Sequence, residues 1–173
     1  MAARLIRLAL IWTCAVAAPA EAQRAGTIEV GAFARYTDLD KGLGMGTTVV
    51  LGGRATVYVG QTLAVEVDAA HASSRSVGYT PLHVRLVREA PLGPRLGALL
   101  GAGYVRNWYG APYQVSDGGL SAMLGLGYHL GDRVWLRLGT DLDFLIHTSD
   151  QSPFSFYHGN WGFQFGAGAR LRG

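Results

Sequence analysis

The sequence is short of charge, almost without lysine and cysteine, and free of long apolar runs beyond its first 22 residues. Charged residues make up 16% of the 173, against about 25% in ordinary soluble domains, so a water-facing surface would be thinly covered. Lys41 is the sole lysine, and the formal net charge of +3 is scattered singly along the chain. That pattern excludes a basic nucleic-acid-binding patch. The one cysteine, Cys14, lies in the N-terminal apolar stretch, which leaves the remainder without a disulfide or a thiolate metal site. The 25 glycines follow no G-X-Y period and the six prolines form no tract, so neither collagen nor a Pro-rich linker fits.

The first 22 residues read as a removable export signal rather than as fold. Arg4 and Arg7 form a short basic region, Leu8 to Ala18 an apolar stretch, and Ala20-Glu21-Ala22 a small-residue cleavage site. The apolar stretch is too short for a membrane anchor helix, which needs about 20 residues. Residues 23–173 are then one domain, too short for two separate cores.

What remains repeats with a period of two. In the C-terminal segment Trp161, Phe163, Phe165, Ala167, Ala169 and Leu171 take one face, with Gly162, Gln164, Gly166, Gly168, Arg170 and Arg172 on the other. Val134 to Ile146, Leu120 to Leu130, Leu82 to Leu86 and Leu63 to Ala69 alternate in the same way. Three further strands, about 27–36, 47–59 and 95–108, are less clean. Phe33, Val50 and Leu99 fall on their polar face and Arg106 on their apolar one. Eight strands result.

Their connections alternate in length. Long segments at 37–46, 73–79, 109–117 and 149–159 are interleaved with short turns at Gly60-Gln61, Pro91 to Pro94 and Gly131-Asp132. Transmembrane barrels have this rhythm, with strand lengths of about 9–11 residues across the bilayer. Closure is required, since an open edge in hydrocarbon leaves backbone groups unsatisfied. Composition orients the faces: the charged face is mostly Gly, Ser and isolated charges, which suits the narrow interior of eight strands. The expectation is an all-β fold, an eight-stranded antiparallel up-and-down transmembrane β-barrel with a filled lumen. A soluble periplasmic lipid-binding barrel, with apolar residues inward, is the reversed alternative.

Gly101-Ala102-Gly103-Tyr104, Gly125-Leu126-Gly127-Tyr128 and the ending Trp161 to Ala169 resemble the small outer-membrane barrels of the OmpA, OmpX and OmpW kind. The resemblance implies location in a bacterial outer membrane. It also implies contact with its lipids, lipopolysaccharide included, and a structural or surface-interaction role. Any extracellular ligand would bind at the loops 37–46, 73–79, 109–117 and 149–159, since loops on a rigid scaffold carry function. No cofactor and no nucleic acid is implied. The chain departs from the family by ending Arg170-Leu171-Arg172-Gly173 rather than on an aromatic.

Strand parity turns Glu29, Arg35, Arg54, Glu66, Asp68, Arg85, Arg137, Asp141, Asp143 and Arg170 inward. Buried charges must be paired, so a lumen charge network is expected. Glu66 and Asp68 would meet Arg54 and Arg85, and Asp141 and Asp143 would meet Arg137. The five histidines lack metal-ligand spacing, and no metal site is expected. His147-Thr148-Ser149 resembles the His-x-Ser of outer-membrane lipid A deacylases. His147, Ser149 and Asp150 would then serve as base, nucleophile and orienting acid, an enzymatic alternative to the non-enzymatic reading. Arg106 on the lipid face would either reach anionic headgroups or mark a bulge near Asn107.

Overall fold

Valine, leucine, phenylalanine and tyrosine alternating with glycine, alanine and isolated charges produce strands of 11 to 15 residues. Each strand has one face apolar and the other polar or small, as a pleated backbone requires. The computed structural model describes residues 25–39, 46–74, 77–111, 114–146 and 159–172. The export signal at residues 1–22 lies outside them. The strands are β1 (Ile28–Asp38), β2 (Thr47–Tyr58), β3 (Leu63–Ser74), β4 (Val77–Pro91), β5 (Leu96–Tyr109), β6 (Val115–His129), β7 (Val134–Ile146) and β8 (Gly159–Arg172).

All neighbours are antiparallel and consecutive, and β8 pairs with β1 to close the barrel. The closing ladder runs from Ile28↔Arg172 to Asp38↔Trp161, with a register shift between Ile28 and Glu29. At one end the connections at 59–62, 92–95 and 130–133 are tight turns. Each is fastened by one repeated bond, from the nitrogens of Val59, Leu92 and Leu130 to the oxygens of Leu63, Leu96 and Val134, at 2.8–2.9 Å. The opposite end carries the segments between β1 and β2, β3 and β4, β5 and β6, and β7 and β8.

Two of those segments are shorter than the sequence suggests. Residues 73–79 read as a loop, yet Ala72↔Tyr79, Ser73↔Gly78 and Ser74↔Val77 continue the β3–β4 ladder. Likewise Val115 to Asp117 extend β6 through Tyr109↔Val115 and Asn107↔Asp117. Serine, glycine and aspartate carry turn signals, but a hydrogen-bonded neighbour outweighs them here. At Gln114 the chain between β5 and β6 takes a positive φ of 48°, uncommon outside glycine.

The apolar face looks outward. Leu51, Leu86, Leu100, Leu124, Leu138, Phe144, Phe163 and Phe165 are all half exposed or more, forming the apolar band of a membrane barrel. The reversed, lipid-carrying barrel is thereby overturned: the interior holds charges, not a dry apolar cavity. Phe33, Val50 and Leu99 turn inward and are buried, as their parity requires. No helix among the described residues is long and apolar enough to cross a membrane.

Candidate functional site

The lumen is where unusual chemistry is concentrated. β1 contributes Arg35, β2 Arg54, β3 Glu66 and Asp68, β4 His83 and Arg85, β7 Arg137, Asp141 and Asp143, and all of them are buried. Each sits at an inward position because side chains alternate along a strand. Four arginines thus face four carboxylates with a histidine between.

Asp68 is one hub. It accepts from Arg35 Nη2 at 2.9 Å, pairs closely with Arg85, and lies 3.0 Å from His83 Nδ1. Glu66 is the other. It receives Arg137 from across the lumen, Arg54 Nε lies 3.5 Å away, and Thr56 Oγ1 donates to it at 3.3 Å. Asp141 joins Arg85 and accepts from Gln164 Nε2 at 2.9 Å, while Gln164 in turn accepts from Arg54. His83 spans the space between Asp68 and Asp143, with Nε2 at 3.2 Å from Asp143.

The expected pairing of Arg137 with Asp141 and Asp143 is replaced by this cross-lumen arrangement. Adjacent strand positions supply neighbours, but a long guanidinium reaches over the narrow interior to the opposite wall. The parity of the sequence turns His83 and Gln164 inward, but it does not place them among the charge partners, which the structure does. Two aromatic rings complete the packing. The guanidinium carbons of Arg35 and Arg54 lie 4.9 and 5.0 Å from the centre of the Phe33 ring, and Arg137 lies 5.3 Å over Trp135.

Each mouth is closed differently. At the short-turn end Tyr58 donates to Glu89 at 2.8 Å, His129 lies 3.2 Å from Glu89, and Arg170 pairs with Glu29 at 3.4 Å. A small half-open pocket there is lined by Glu29, Glu89, His129, Trp135 and Arg137. At the long-loop end Tyr79 and Tyr109 stack 5.5 Å apart. Tyr79 donates to Asn107 at 3.2 Å, and Asn107 donates to Asp117 at 2.9 Å. Leu39, Val50, Ala70, Ala72 and Val77 pack with these tyrosines into a buried apolar cluster. Between the mouths Val87, Leu99 and Met123 form a second apolar patch.

A closed barrel of eight antiparallel strands, apolar outside and ion-paired inside, decides the architecture. The fold is that of the small outer-membrane barrels. The N-terminal barrel domain of OprF from Pseudomonas aeruginosa superposes with a TM-score of 0.65 at 13% identity, covering 86% of this chain and all of that one. OprG of the same organism gives 0.62 at 14%, covering 88% and 99%. The neisserial surface protein NspA gives 0.64 at 14%, covering 83% and 97%. No protein-family model matches, and no curated protein matches in sequence. At these identities the outer-membrane barrel likeness is one of fold.

Among the described residues no cluster of histidines and carboxylates could hold a metal ion. His147, Ser149 and Asp150 lie outside the described residues, as do 40–45, 75–76, 112–113 and 149–158 of the long connections. Arg106 faces the lipid side, half-buried, with Nη2 donating to Ser116 Oγ at 2.6 Å. The registers of β5 with both neighbours run unbroken through Asn107, so no bulge accounts for it.

Proposed function

We propose that this chain is a non-conducting barrel of the bacterial outer membrane whose work is structural or surface-interacting. Its long connections between strands form the contact surface. The observation that carries this reading is the filled lumen. The interlocked ion pairs from Glu66 to Asp143 occupy the interior. A buried apolar cluster packs the long-loop end, and half-buried Glu89, His129 and Arg170 stand at the short-turn end. Buried charged pairs fix one arrangement, because moving either partner exposes an uncompensated charge. On a rigid scaffold, loops carry a disproportionate share of binding residues.

The test is conductance of the chain from residue 23, folded and inserted in planar bilayers. The expected result is a current no greater than that of protein-free membrane. Steady unit conductance at low voltage would overturn the reading in favour of a narrow channel.

A further inference from the structure

The outer rim of the barrel is chemically lopsided. On the side formed by β7, β8 and β1, the outward residues near the long-loop ends are Phe144, Ile146, Trp161, Phe163 and Tyr36, all exposed. The polar group among them is an anion, Asp38, which accepts from Trp161 Nε1 at 3.0 Å. On the opposite side the corresponding row is polar and basic. His71 of β3 and Thr80 of β4 are joined at 2.9 Å, and Arg106 of β5 is joined to Ser116 of β6. The registers place these residues beside one another, with Thr80 opposite Trp108 and Trp108 opposite Ser116.

Arg106 is the focus of that row. It stands between Tyr104 and Trp108 on the lipid face of β5, and both aromatics are exposed. A guanidinium has five N–H donors in a planar fork. The hydroxyl of Ser116 takes one, and among the described residues no carboxylate pairs with Arg106. An arginine facing a bilayer with its donors unspent is costly unless an acceptor is supplied from outside the protein. Interfacial tyrosine and tryptophan mark the depth of the headgroups, where anionic oxygens are available.

We propose that Arg106, with Ser116 bonded to it and the Thr80–His71 pair across Trp108, binds a phosphate group on the headgroup of an outer-leaflet glycolipid of the lipid A class. The fork of Arg106 takes two phosphate oxygens, as a planar guanidinium does best. The neighbouring hydroxyls and imidazole add donors along the row. Among the described residues the β7–β8–β1 side presents an anion, Asp38, and no arginine near this rim, so the lipid is held on the side of Arg106. This inference rests on the outer-membrane reading above and names a lipid partner for it.

The experiment uses the chain from residue 23, folded in neutral detergent and followed by native mass spectrometry. Diphosphoryl lipid A and its dephosphorylated form are the probes. The wild type is expected to retain the phosphorylated lipid about tenfold better, the size of one charged hydrogen bond. Arg106→Gln should abolish that preference, and Arg106→Lys, which keeps charge but not the fork, should fall between. Arg88→Gln, an exposed arginine near the short-turn end, should leave it unchanged.

An undiminished preference in Arg106→Gln would overturn the site, as would an equal loss in Arg88→Gln. Displacement of the lipid by millimolar inorganic phosphate would overturn the lipid headgroup as the ligand. Each variant is first checked for a mobility shift on heating in SDS. If Arg106→Gln fails that check, Arg106→Lys and Ser116→Ala are read in its place, and retention of the full preference by both overturns the site. Failure of the wild type to shift would instead strike the barrel reading itself.

Discussion

At Phe33 an aromatic ring occupies a position that alternation reserves for polar groups, and two guanidiniums rest against it. Such a ring desolvates the arginines on one side while leaving their edges free for Asp68, Glu66 and Asp141. The hubs are therefore more consequential than any single pair. Asp68→Ala leaves Arg35, Arg85 and His83 short of a common acceptor. A loss of about 3–5 kcal/mol is expected, as for other broken buried pairs. Urea unfolding of the protein in lipid vesicles reads it as a lowered midpoint. Glycine is equally specific at Gly168, where a Cβ would run into both the Trp135 ring and the backbone oxygen of Val30, and only the first of these clashes is relieved by shortening Trp135. Gly168→Leu should cost about 1–3 kcal/mol by overpacking. Combined with Trp135→Ala, the total should fall below the sum of the two single changes in the same assay. The inward face of each charge was legible from parity alone. Its partner was not, because alternation tells in from out but says nothing about which wall a side chain reaches.

Among the strands, β6 shows most plainly how one element serves two solvents. Leu120, Leu124 and Leu126 lie exposed on one side, while Ser121 and Met123 are buried on the other. Leu124→Arg places a charge on the lipid face near the middle of the strand and should destabilise by about 2–4 kcal/mol, read from unfolding in vesicles. The strands themselves were readable because five of the eight alternate without interruption over their central residues, and the other three break at only one or two positions each. Their outer ends were not: Ser73, Gly78 and Ser116 look like turn residues, and the ladder continues through them. Beyond the apolar band the alternation loses its hydrophobic partner. Sequence then records only local preference, and pairing with the next strand decides the outcome. Arg106 was visible as an exception, and only the unbroken register around Asn107 separated a lipid-facing charge from a bulge.

For the whole molecule, the two ends differ enough to give its orientation a direct test. Lys41 lies between β1 and β2 and Arg75 between β3 and β4, whereas Arg95 and Arg133 lie in the tight turns at the other end. Trypsin added to intact cells should cut after Lys41 and spare Arg95 and Arg133. Cleavage only in the tight turns would mean the barrel sits the other way up. The closing seam carries a different consequence, for biogenesis. Glu29 and Arg170, bonded across it, are separated by 141 residues. Until β8 is made, β1 has a bare edge, and whichever strand was synthesised last has another. A growing sheet of this kind has rows of unmet N–H and C=O groups that hydrocarbon will not accept. Stepwise entry into lipid from the N-terminus is therefore unfavourable at every intermediate length. The nascent chain must be kept in water, escorted and unfolded, until its final strand is available. A nonsense mutation anywhere before residue 159 yields no lesser barrel, only a substrate for proteases.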